Sequence, residues 1–199
     1  MNRIEFWFDF SSPYAYFAAL QIEEVAARPG CALLWRPFLL GAALRATGMQ
    51  PLSRTPLRGD YARRDWARLA RRHNVPFRLP AAHPVLTVAA GRAFQWLETE
   101  AEQMAVPFAK SVFDAAFGQG KDIGDTALIV GLAEALGADG EDLAAALASE
   151  ALKDRFRART DEAVARGVFG SPFFFVDGEP FWGADRLPMV EDWLSSGGW

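Results

Sequence analysis

The sequence predicts an α/β fold in which a small sheet, formed from both ends of the chain, is interrupted by a large helical block. Residues 1–38 have the pattern of a strand, a helix and a second strand. Residues 39–160 are rich in alanine and in apolar residues at helical spacing. Residues 161–199 return to short apolar runs separated by a turn signal. The hydrophobic content of 51% and the charged content of 23% are ordinary for a globular protein with a sizeable core.

The first part of the chain predicts a parallel βαβ unit. A strand is predicted over Ile4–Phe10, where every second residue is Ile or Phe. Ser11-Ser12-Pro13 follows and is typical of a helix start with proline in the first turn. The helix is predicted over Tyr14–Arg28 and ends at Pro29-Gly30, before a second strand over Cys31–Phe38. Two strands joined through a helix in so short a stretch are parallel.

The middle of the chain is predicted to be helical. Alanine favours helix throughout, and glycine and proline punctuate the segments. The predicted helices are Pro56–Asn74, Pro84–Glu102, Val106–Gln119, Asp125–Leu136, Glu141–Ala148 and Ala151–Arg166.

The end of the chain predicts a hairpin and a final helix. The strands are Phe173–Val176 and Glu179–Trp182, joined by the turn signal Asp177-Gly178. Gly183-Ala184-Asp185 opens a helix that runs to about Leu194. The complete order of βαβ, helical block and ββα is that of a thioredoxin-like sheet with a helical insertion. We therefore expect residues 1–38 and 161–199 to form a thioredoxin-like domain and residues 39–160 an inserted α-helical domain.

The charge and the apolar pattern exclude several classes of partner. With 21 basic and 25 acidic residues the net charge is −4, which disfavours a nucleic-acid partner. No apolar run approaches the roughly 20 residues that span a bilayer, so no membrane partner is expected. Arg3, Glu5 and Asp9 interrupt the apolar start of the chain, which lacks the pattern of a signal peptide. We expect a cytoplasmic protein.

Cysteine and histidine are too few for several kinds of site. Cys31 is the only cysteine, so the chain has no internal disulfide and no two-cysteine redox pair. Together with His73 and His83 it makes a poor zinc site, and we expect no metal. Cys31 is expected to pack as a small apolar residue, and the two histidines to lie at the surface or behind the site.

A candidate site lies at the start of the first helix. Ser12 stands where the helix presents unpaired backbone N–H groups, which would stabilise a bound thiolate or another anion. In the simplest interpretation Ser12 is only the N-cap of the helix. Ser11 is an alternative to Ser12 in either role, because spacing alone does not separate them. No histidine or carboxylate is placed to indicate a catalytic triad, which argues against a hydrolase.

The segment FWFDFSSPYAYFA (Phe6–Ala18) resembles the start of the 2-hydroxychromene-2-carboxylate isomerases and kappa-class glutathione transferases. Both belong to the DsbA-like thioredoxin superfamily, whose redox members carry a C-x-x-C motif at this turn. Ser12 and Ala15 stand at the two cysteine positions, so neither supplies the thiolate that disulfide exchange needs. The resemblance implies the glutathione-dependent branch, in which a serine before the proline contacts the sulfur of glutathione.

The segment Gly167–Leu187 is similar to a second block of the same family. Pro172 matches the family's cis-proline, and the residue before it, here Ser171, binds the cysteinyl part of glutathione through its backbone. That position is often Val in the family, so the pocket shape differs. Asp185, with the backbone of Ala184, matches the residues that hold the γ-glutamyl end. Without the resemblance, Ser171 and Pro172 form an ordinary turn and Asp185 is a helix N-cap.

The helical block also resembles the family over Arg36–Gly48 and Tyr61–Pro80. Many relatives carry an asparagine soon after the glycine that ends the first of these segments, and it helps to bind glutathione or substrate. Met49 and Gln50 stand there in this chain, with Ser53 nearby. Either Gln50 or Ser53 is a candidate replacement for the asparagine.

The resemblance implies a glutathione-dependent isomerase that acts on 2-hydroxychromene-2-carboxylate or a related aromatic carboxylate. Ser12 and the helix N-terminus lower the pKa of the glutathione thiol, whose thiolate adds to the opened substrate and is eliminated after bond rotation. The family also implies a homodimer. The alternatives are a kappa-like transferase or peroxidase that consumes glutathione, a non-catalytic thioredoxin-like module, and a disulfide oxidoreductase that uses Cys31.

Overall fold

Four strands form one sheet in the computed structural model, which describes residues 2–27 and 30–199. The strands are β1 (Asn2–Phe8), β2 (Cys31–Pro37), β3 (Phe173–Val176) and β4 (Glu179–Trp182). Their order is β2-β1-β3-β4, with β1 parallel to β2 and antiparallel to β3, and β3 antiparallel to β4. The predicted parallel βαβ unit and the predicted hairpin are both confirmed.

Ten helices accompany the sheet in the described part of the chain. They are α1 (Pro13–Ala19), α2 (Ile22–Ala26), α3 (Leu40–Thr47), α4 (Arg58–His73), α5 (Val88–Glu100), α6 (Glu102–Phe113), α7 (Thr126–Glu134), α8 (Gly140–Ala148), α9 (Glu150–Ala165) and α10 (Leu187–Ser196). Short 3₁₀ turns lie at Leu52–Arg54 and Ala184–Arg186, and a π turn follows α6 at Asp114–Gly118. None of the described helices combines the length and apolar character needed to cross a membrane.

The central strand β1 is buried on both of its faces. Phe6 lies opposite Trp35 of β2 and Phe174 of β3, and its ring stacks against the ring of Phe174 at 5.4 Å. On the opposite face, Trp7 and Phe175 belong to a second, smaller apolar cluster. A strand covered on both sides can be apolar at almost every position, which explains the aromatic content of this segment.

The first predicted helix is two helices in the structure. Gln21 interrupts it, because its side-chain amide donates a hydrogen bond of 2.9 Å to the carbonyl of Phe17. Its backbone N–H bonds to Ala18, three residues back, which tightens the last turn of α1. The predicted continuous helix is therefore wrong at this point. Its predicted end, at Arg28 and Pro29, lies outside the described residues.

Two further differences affect the helical block. The helix predicted to start at Val106 begins at Glu102 and runs through Pro107, because the chain breaks instead at Ala101, whose φ is −157°. The segment Leu40–Thr47 forms a helix that was not predicted separately. The short strand β1 also ends two residues earlier than predicted, where the chain turns toward α1.

The helical block and the sheet share one apolar core. The ring of Phe8 on β1 meets Phe94 of α5 at 6.0 Å and Phe113 of α6 at 5.5 Å. The predicted domain boundary between residues 160 and 161 falls inside α9. The division of the chain into two domains stays a prediction.

Candidate active site

The candidate site is built on the turn between β1 and α1. Ser12 is the N-cap of α1, with φ −94° and ψ 112°, and its Oγ accepts a hydrogen bond of 3.2 Å from the backbone N–H of Ala15. The same hydroxyl donates to the backbone carbonyl of Ser171 at 2.7 Å. Only 6% of Ser12 is exposed. The N-cap position is thus Ser12 and not Ser11, and the hydroxyl proton is directed toward Ser171.

The segment that enters β3 lies directly against this turn. The peptide bond between Ser171 and Pro172 is cis, as the resemblance implied. The carbonyl of Pro172 accepts a bond of 3.1 Å from the N–H of Gly183, which ties this segment to the end of β4. The structure therefore brings together Ser12, Ser171 and Pro172, which are far apart in the sequence.

Asp9 organises this turn, and the sequence analysis did not identify it. One carboxylate oxygen accepts bonds from the N–H of Ser11 at 2.8 Å and from the hydroxyl of Thr87 at 2.9 Å. The other accepts a bond of 2.7 Å from the N–H of Leu40, at the start of α3. The N–H of Asp9 itself donates to the Oγ of Ser171 at 2.9 Å. Asp9 thus joins the turn, the helical block and the residue before the cis-proline.

The ionisation of Asp9 is set by burial and by these bonds. Burial raises the pKa of its carboxyl group above the ordinary value, and the bonds from Ser11, Leu40 and Thr87 oppose that rise. All the groups that point at the carboxyl oxygens are donors, so they favour the carboxylate over the acid. An acidic residue directly after a strand of aromatic residues was the only signal in the sequence.

Asp185 lies near the same turn but points into solvent. The 3₁₀ turn Ala184–Arg186 packs against α1. The carboxylate of Asp185 is 74% exposed and lies 3.5 Å from the guanidinium of Arg186. It makes no N-cap hydrogen bond to the turn or to α10, so the N-cap interpretation of Asp185 is wrong. Its charge remains available to a ligand.

Tyr14, in the first turn of α1, connects the site to α4. Its hydroxyl donates to Asp65 at 2.9 Å, and its ring meets the edge of Trp66 at 6.0 Å. Burial raises the pKa of Tyr14, as do the hydrogen bond to Asp65 and the nearby charges, including that of Asp185. Tyr14 is therefore a neutral donor at neutral pH, and it places Asp65 and Trp66 beside the Ser12 turn.

The two residues considered as replacements for the family asparagine differ in their surroundings. Gln50 is exposed, whereas Ser53 is half-buried and its Oγ has no hydrogen-bond partner in the described part of the chain. The geometry therefore favours Ser53 over Gln50 as a ligand-binding residue.

The histidines and the cysteine lie in three different surroundings. His73 stacks on Phe17, with ring centroids 5.9 Å apart. His83 is half-buried, and burial, together with the charges of Arg63 and Arg54, lowers its pKa to about 4. Cys31 is half-buried at the start of β2. Within residues 2–27 and 30–199, no group of three or more metal-binding side chains comes together.

The chain is similar to known proteins over nearly its whole length. A family model described as a DSBA-like thioredoxin domain matches residues 3–195. A 2-hydroxychromene-2-carboxylate isomerase of Sphingobium xenophagum is 32% identical over 195 residues, which cover 97% of this chain and 98% of that protein. A glutathione S-transferase kappa 2 of Caenorhabditis elegans is 26% identical over 205 residues, which cover 96% of this chain and 91% of that protein.

A solved structure supports the same assignment. The structure of a selenomethionine 2-hydroxychromene-2-carboxylate isomerase matches with a TM-score of 0.87 at 29% identity, covering 98% of this chain and 95% of that chain. The similarity thus extends over the sheet, the helical block and the final helix. The chain belongs to the DSBA-like thioredoxin family and, within it, to the family of 2-hydroxychromene-2-carboxylate isomerases.

Proposed function

We propose that the protein is a glutathione-dependent isomerase. It interconverts 2-hydroxychromene-2-carboxylate and trans-o-hydroxybenzylidenepyruvate, or a closely related pair of aromatic carboxylates. One observation carries the proposal: the hydroxyl of Ser12 lies at the N-terminus of α1 and donates its proton to the carbonyl before a cis-proline. The position that would carry a redox thiol instead holds a hydroxyl donor, which suits the stabilisation of a thiolate brought by a cofactor.

The residues around the turn fit glutathione. The backbone of Ser171 offers a carbonyl that accepts a hydrogen bond, as an extended cysteinyl peptide requires. The exposed carboxylate of Asp185 offers a partner for the ammonium of the γ-glutamyl group, with the backbone of Ala184 beside it. Pro172 has no N–H to donate, and its carbonyl already accepts the N–H of Gly183. The backbone of Ser171 is therefore the part of this segment that can bind the cysteinyl group.

Bound glutathione would supply a thiolate, a nucleophile suited to reversible addition at the conjugated carbon of the opened substrate, which would permit rotation about the former double bond. The hydroxyl of Ser12 turns its proton from the carbonyl of Ser171 to the sulfur. The carbonyl of Ser171 is then free to accept the cysteinyl N–H. The Oγ of Ser12 continues to accept the hydrogen bond from the backbone N–H of Ala15 during this exchange, so the N-cap bond holds the serine in place.

This exchange favours the thiolate over the thiol. A hydrogen bond to an anion is roughly twice as strong as one between neutral groups, whereas a thiol is a weak acceptor. Ser12 therefore gives up its bond to Ser171 at little cost only when the sulfur is charged. A pKa lowered by about one to two units from a free value near 8.5 makes about a quarter to three quarters of the sulfur anionic at pH 7.

The substrate, the assembly and the location follow from the family. The substrate class is the small aromatic carboxylate in the name of the relatives. We propose a homodimer with no nucleic-acid or membrane partner. We also propose a cytoplasmic protein, since reduced glutathione is maintained there.

A kappa-like glutathione transferase or peroxidase is the second candidate. The similarity to a kappa transferase over nearly the whole chain favours it. The two candidates differ in stoichiometry, because an isomerase returns glutathione unchanged and a transferase or peroxidase consumes it.

The test is isomerisation of 2-hydroxychromene-2-carboxylate by the purified protein, followed by absorbance with and without glutathione. We expect many turnovers per glutathione and no loss of free thiol. Turnover that stops when glutathione is exhausted would assign the transferase, and no binding of glutathione would assign the non-catalytic module. Turnover without glutathione that is lost in Cys31→Ser would overturn the proposal in favour of catalysis by the protein's own thiol.

A further inference from the structure

Three buried polar atoms in and around α4 have no hydrogen-bond partner within the described residues. They are the Oγ of Ser53, the Nε1 of Trp66 and the Nδ1 of His83. Trp66 is only 2% exposed, so its indole N–H faces the interior. An unpaired buried polar atom costs about 1 to 3 kcal/mol, and native proteins keep few of them.

The three atoms belong to one neighbourhood. The rings of Trp66 and His83 meet edge to face, with centroids 5.9 Å apart. Arg63 links Ser53 to this pair, because its guanidinium donates to the carbonyl of Ser53 at 3.2 Å while its charge acts on His83. Arg54 adds a second positive charge that also acts on His83. Unpaired polar atoms therefore lie in a positive field.

This neighbourhood adjoins the Ser12 turn through two contacts. Trp66 meets Tyr14, which follows Ser12 in the first turn of α1. Thr87, at the end of the segment that starts with His83, donates to Asp9 of the turn. The neighbourhood is therefore connected to the Ser12 turn through Tyr14 and through residues 83–87.

The chemistry of the three atoms selects their ligand. The indole N–H is only a donor, the serine hydroxyl is a donor when needed, and a neutral imidazole donates from one nitrogen. A group with several acceptor lone pairs and a negative charge suits each of these donors, and the two guanidiniums favour it further. A planar carboxylate on an aromatic ring fits, since the ring packs beside Trp66 and His83.

We propose that Ser53, Trp66 and His83 form a subsite that binds the carboxylate of the aromatic substrate, with Arg54 and Arg63 supplying the positive field. The proposal rests on the proposed function, because it assigns the substrate's anionic end relative to the sulfur held at Ser12. The subsite thereby determines specificity for an acid over a neutral analogue.

The three atoms are buried, so a ligand must displace the side chains that cover them. The segment between the 3₁₀ turn Leu52–Arg54 and α4 lies next to Ser53 and is the candidate for that displacement. Leu57 lies in it, is 86% exposed and has a φ of 64°, which is strained for leucine. Backbone strain of this kind concentrates at ligand clamps, and here it lies four residues from Ser53.

The test is calorimetric titration of the full chain with salicylate and with its neutral isostere salicylamide. We expect salicylate to bind about tenfold or more weakly to Ser53→Ala, Trp66→Phe and His83→Phe than to the wild type. Salicylamide should bind all four proteins weakly and alike. His73→Phe is the matched control, because His73 also stacks on an aromatic ring but lies outside the subsite.

The kinetics of isomerisation give a second readout. The three variants should raise KM for the chromene carboxylate and leave kcat at saturation nearly unchanged, because the sulfur is activated elsewhere. Circular dichroism and thermal unfolding show whether each variant folds. Ser53→Ala removes one oxygen atom from a half-buried site, so it keeps the test valid if Trp66→Phe does not fold.

The outcomes separate the subsite from the proposed function. Equal binding of salicylate to the wild type and to all three variants overturns the subsite, even if the protein is an isomerase. Equal binding of salicylate and salicylamide to the wild type overturns it as well. Discrimination that the variants lose, in a protein that does not isomerise the chromene, supports the subsite and overturns the proposed function.

Discussion

The two regions that flank the first turn of α1 differ in whether their buried polar groups are hydrogen-bonded. In the turn, the side chains of Asp9, Ser12 and Ser171 are all hydrogen-bonded. In the neighbouring region of α4, Trp66 and His83 keep buried polar atoms without partners among the described residues. The protein itself supplies the partners of the polar groups in the turn, whereas we propose that a ligand supplies them in the second region.

This difference has an energetic consequence. Removing the partner of a hydrogen-bonded buried group lowers the free energy of unfolding of the protein. A buried group that has no partner already lowers it, so removing that group does not. Replacement by an apolar residue should therefore destabilise the turn and leave the α4 region as stable or more stable. A region that keeps costly unpaired groups is typical of a site where function and stability oppose each other.

The largest effect is expected from Ser12→Ala. The variant loses the hydroxyl that we propose donates to the sulfur, so the isomerisation rate should fall by about a hundredfold or more. The dissociation constant of glutathione should change little, because we assign its other groups to Ser171 and Asp185. Stopped-flow kinetics and calorimetry measure the two quantities.

Ser11→Ala is the control for that variant. The substitution keeps the bond from the backbone N–H of Ser11 to Asp9 and removes only the interaction of the Ser11 side chain with that carboxyl group. The N-cap hydroxyl of Ser12 is left in place. A rate loss in Ser11→Ala that equals the loss in Ser12→Ala would contradict the assignment of Ser12.

Asp9→Asn should have the next largest effect, on stability. The amide places a donor where the carboxylate accepts bonds from Ser11, Leu40 and Thr87, so at least one of these donors loses its acceptor. We expect a loss of about 2 to 3 kcal/mol in the free energy of unfolding, measured with urea. Thr87→Val removes one of the bonds and should cost about 1 kcal/mol. Equal losses would mean that Asp9 does not join the three segments.

Asp185→Ala should have a moderate effect on binding alone. Its carboxylate is exposed and loosely paired with Arg186, so a salt link to glutathione there is screened by solvent. We expect glutathione to bind about five- to tenfold more weakly, with the rate at saturating glutathione unchanged. Asp192→Ala, on α10, is an exposed control that should leave binding as it is. An unchanged dissociation constant in Asp185→Ala would refute its role.

The smallest effect is expected from His83→Phe on stability. The ring contact with Trp66 is kept and an unpaired buried nitrogen is removed, so the free energy of unfolding should stay the same or rise by up to about 1 kcal/mol. Urea unfolding of His83→Phe and of Asp9→Asn under the same conditions gives the change in the free energy of unfolding for both regions. A loss of stability in His83→Phe as large as that in Asp9→Asn would remove the contrast between them.

The sequence predicts the strands and Ser12 because the signals for both are local. Alternation, the Asp177-Gly178 turn and the serine before Pro13 lie within a few residues of the structure that they specify. The helix break at Gln21 depends on a side-chain amide that bonds to the carbonyl of Phe17, which helix propensity does not reveal.

The rest of the site depends on contacts between distant residues. Asp9 bonds to Leu40 and Thr87, which are 31 and 78 residues away, so no local pattern shows its role. Trp66 and His83 meet only after α4 and the segment before α5 have packed together. The position of the cis-proline was available only through the resemblance, because most X–Pro bonds are trans.

The central claim is that Ser12 lowers the pKa of the glutathione thiol. Thiolate absorbance of bound glutathione, titrated across pH in the wild type and in Ser12→Ala, tests it most directly. We predict a pKa about one to two units below the free value near 8.5 in the wild type, and a return toward the free value in the variant. An equal thiol pKa in both proteins, with glutathione bound to each, would contradict the claim.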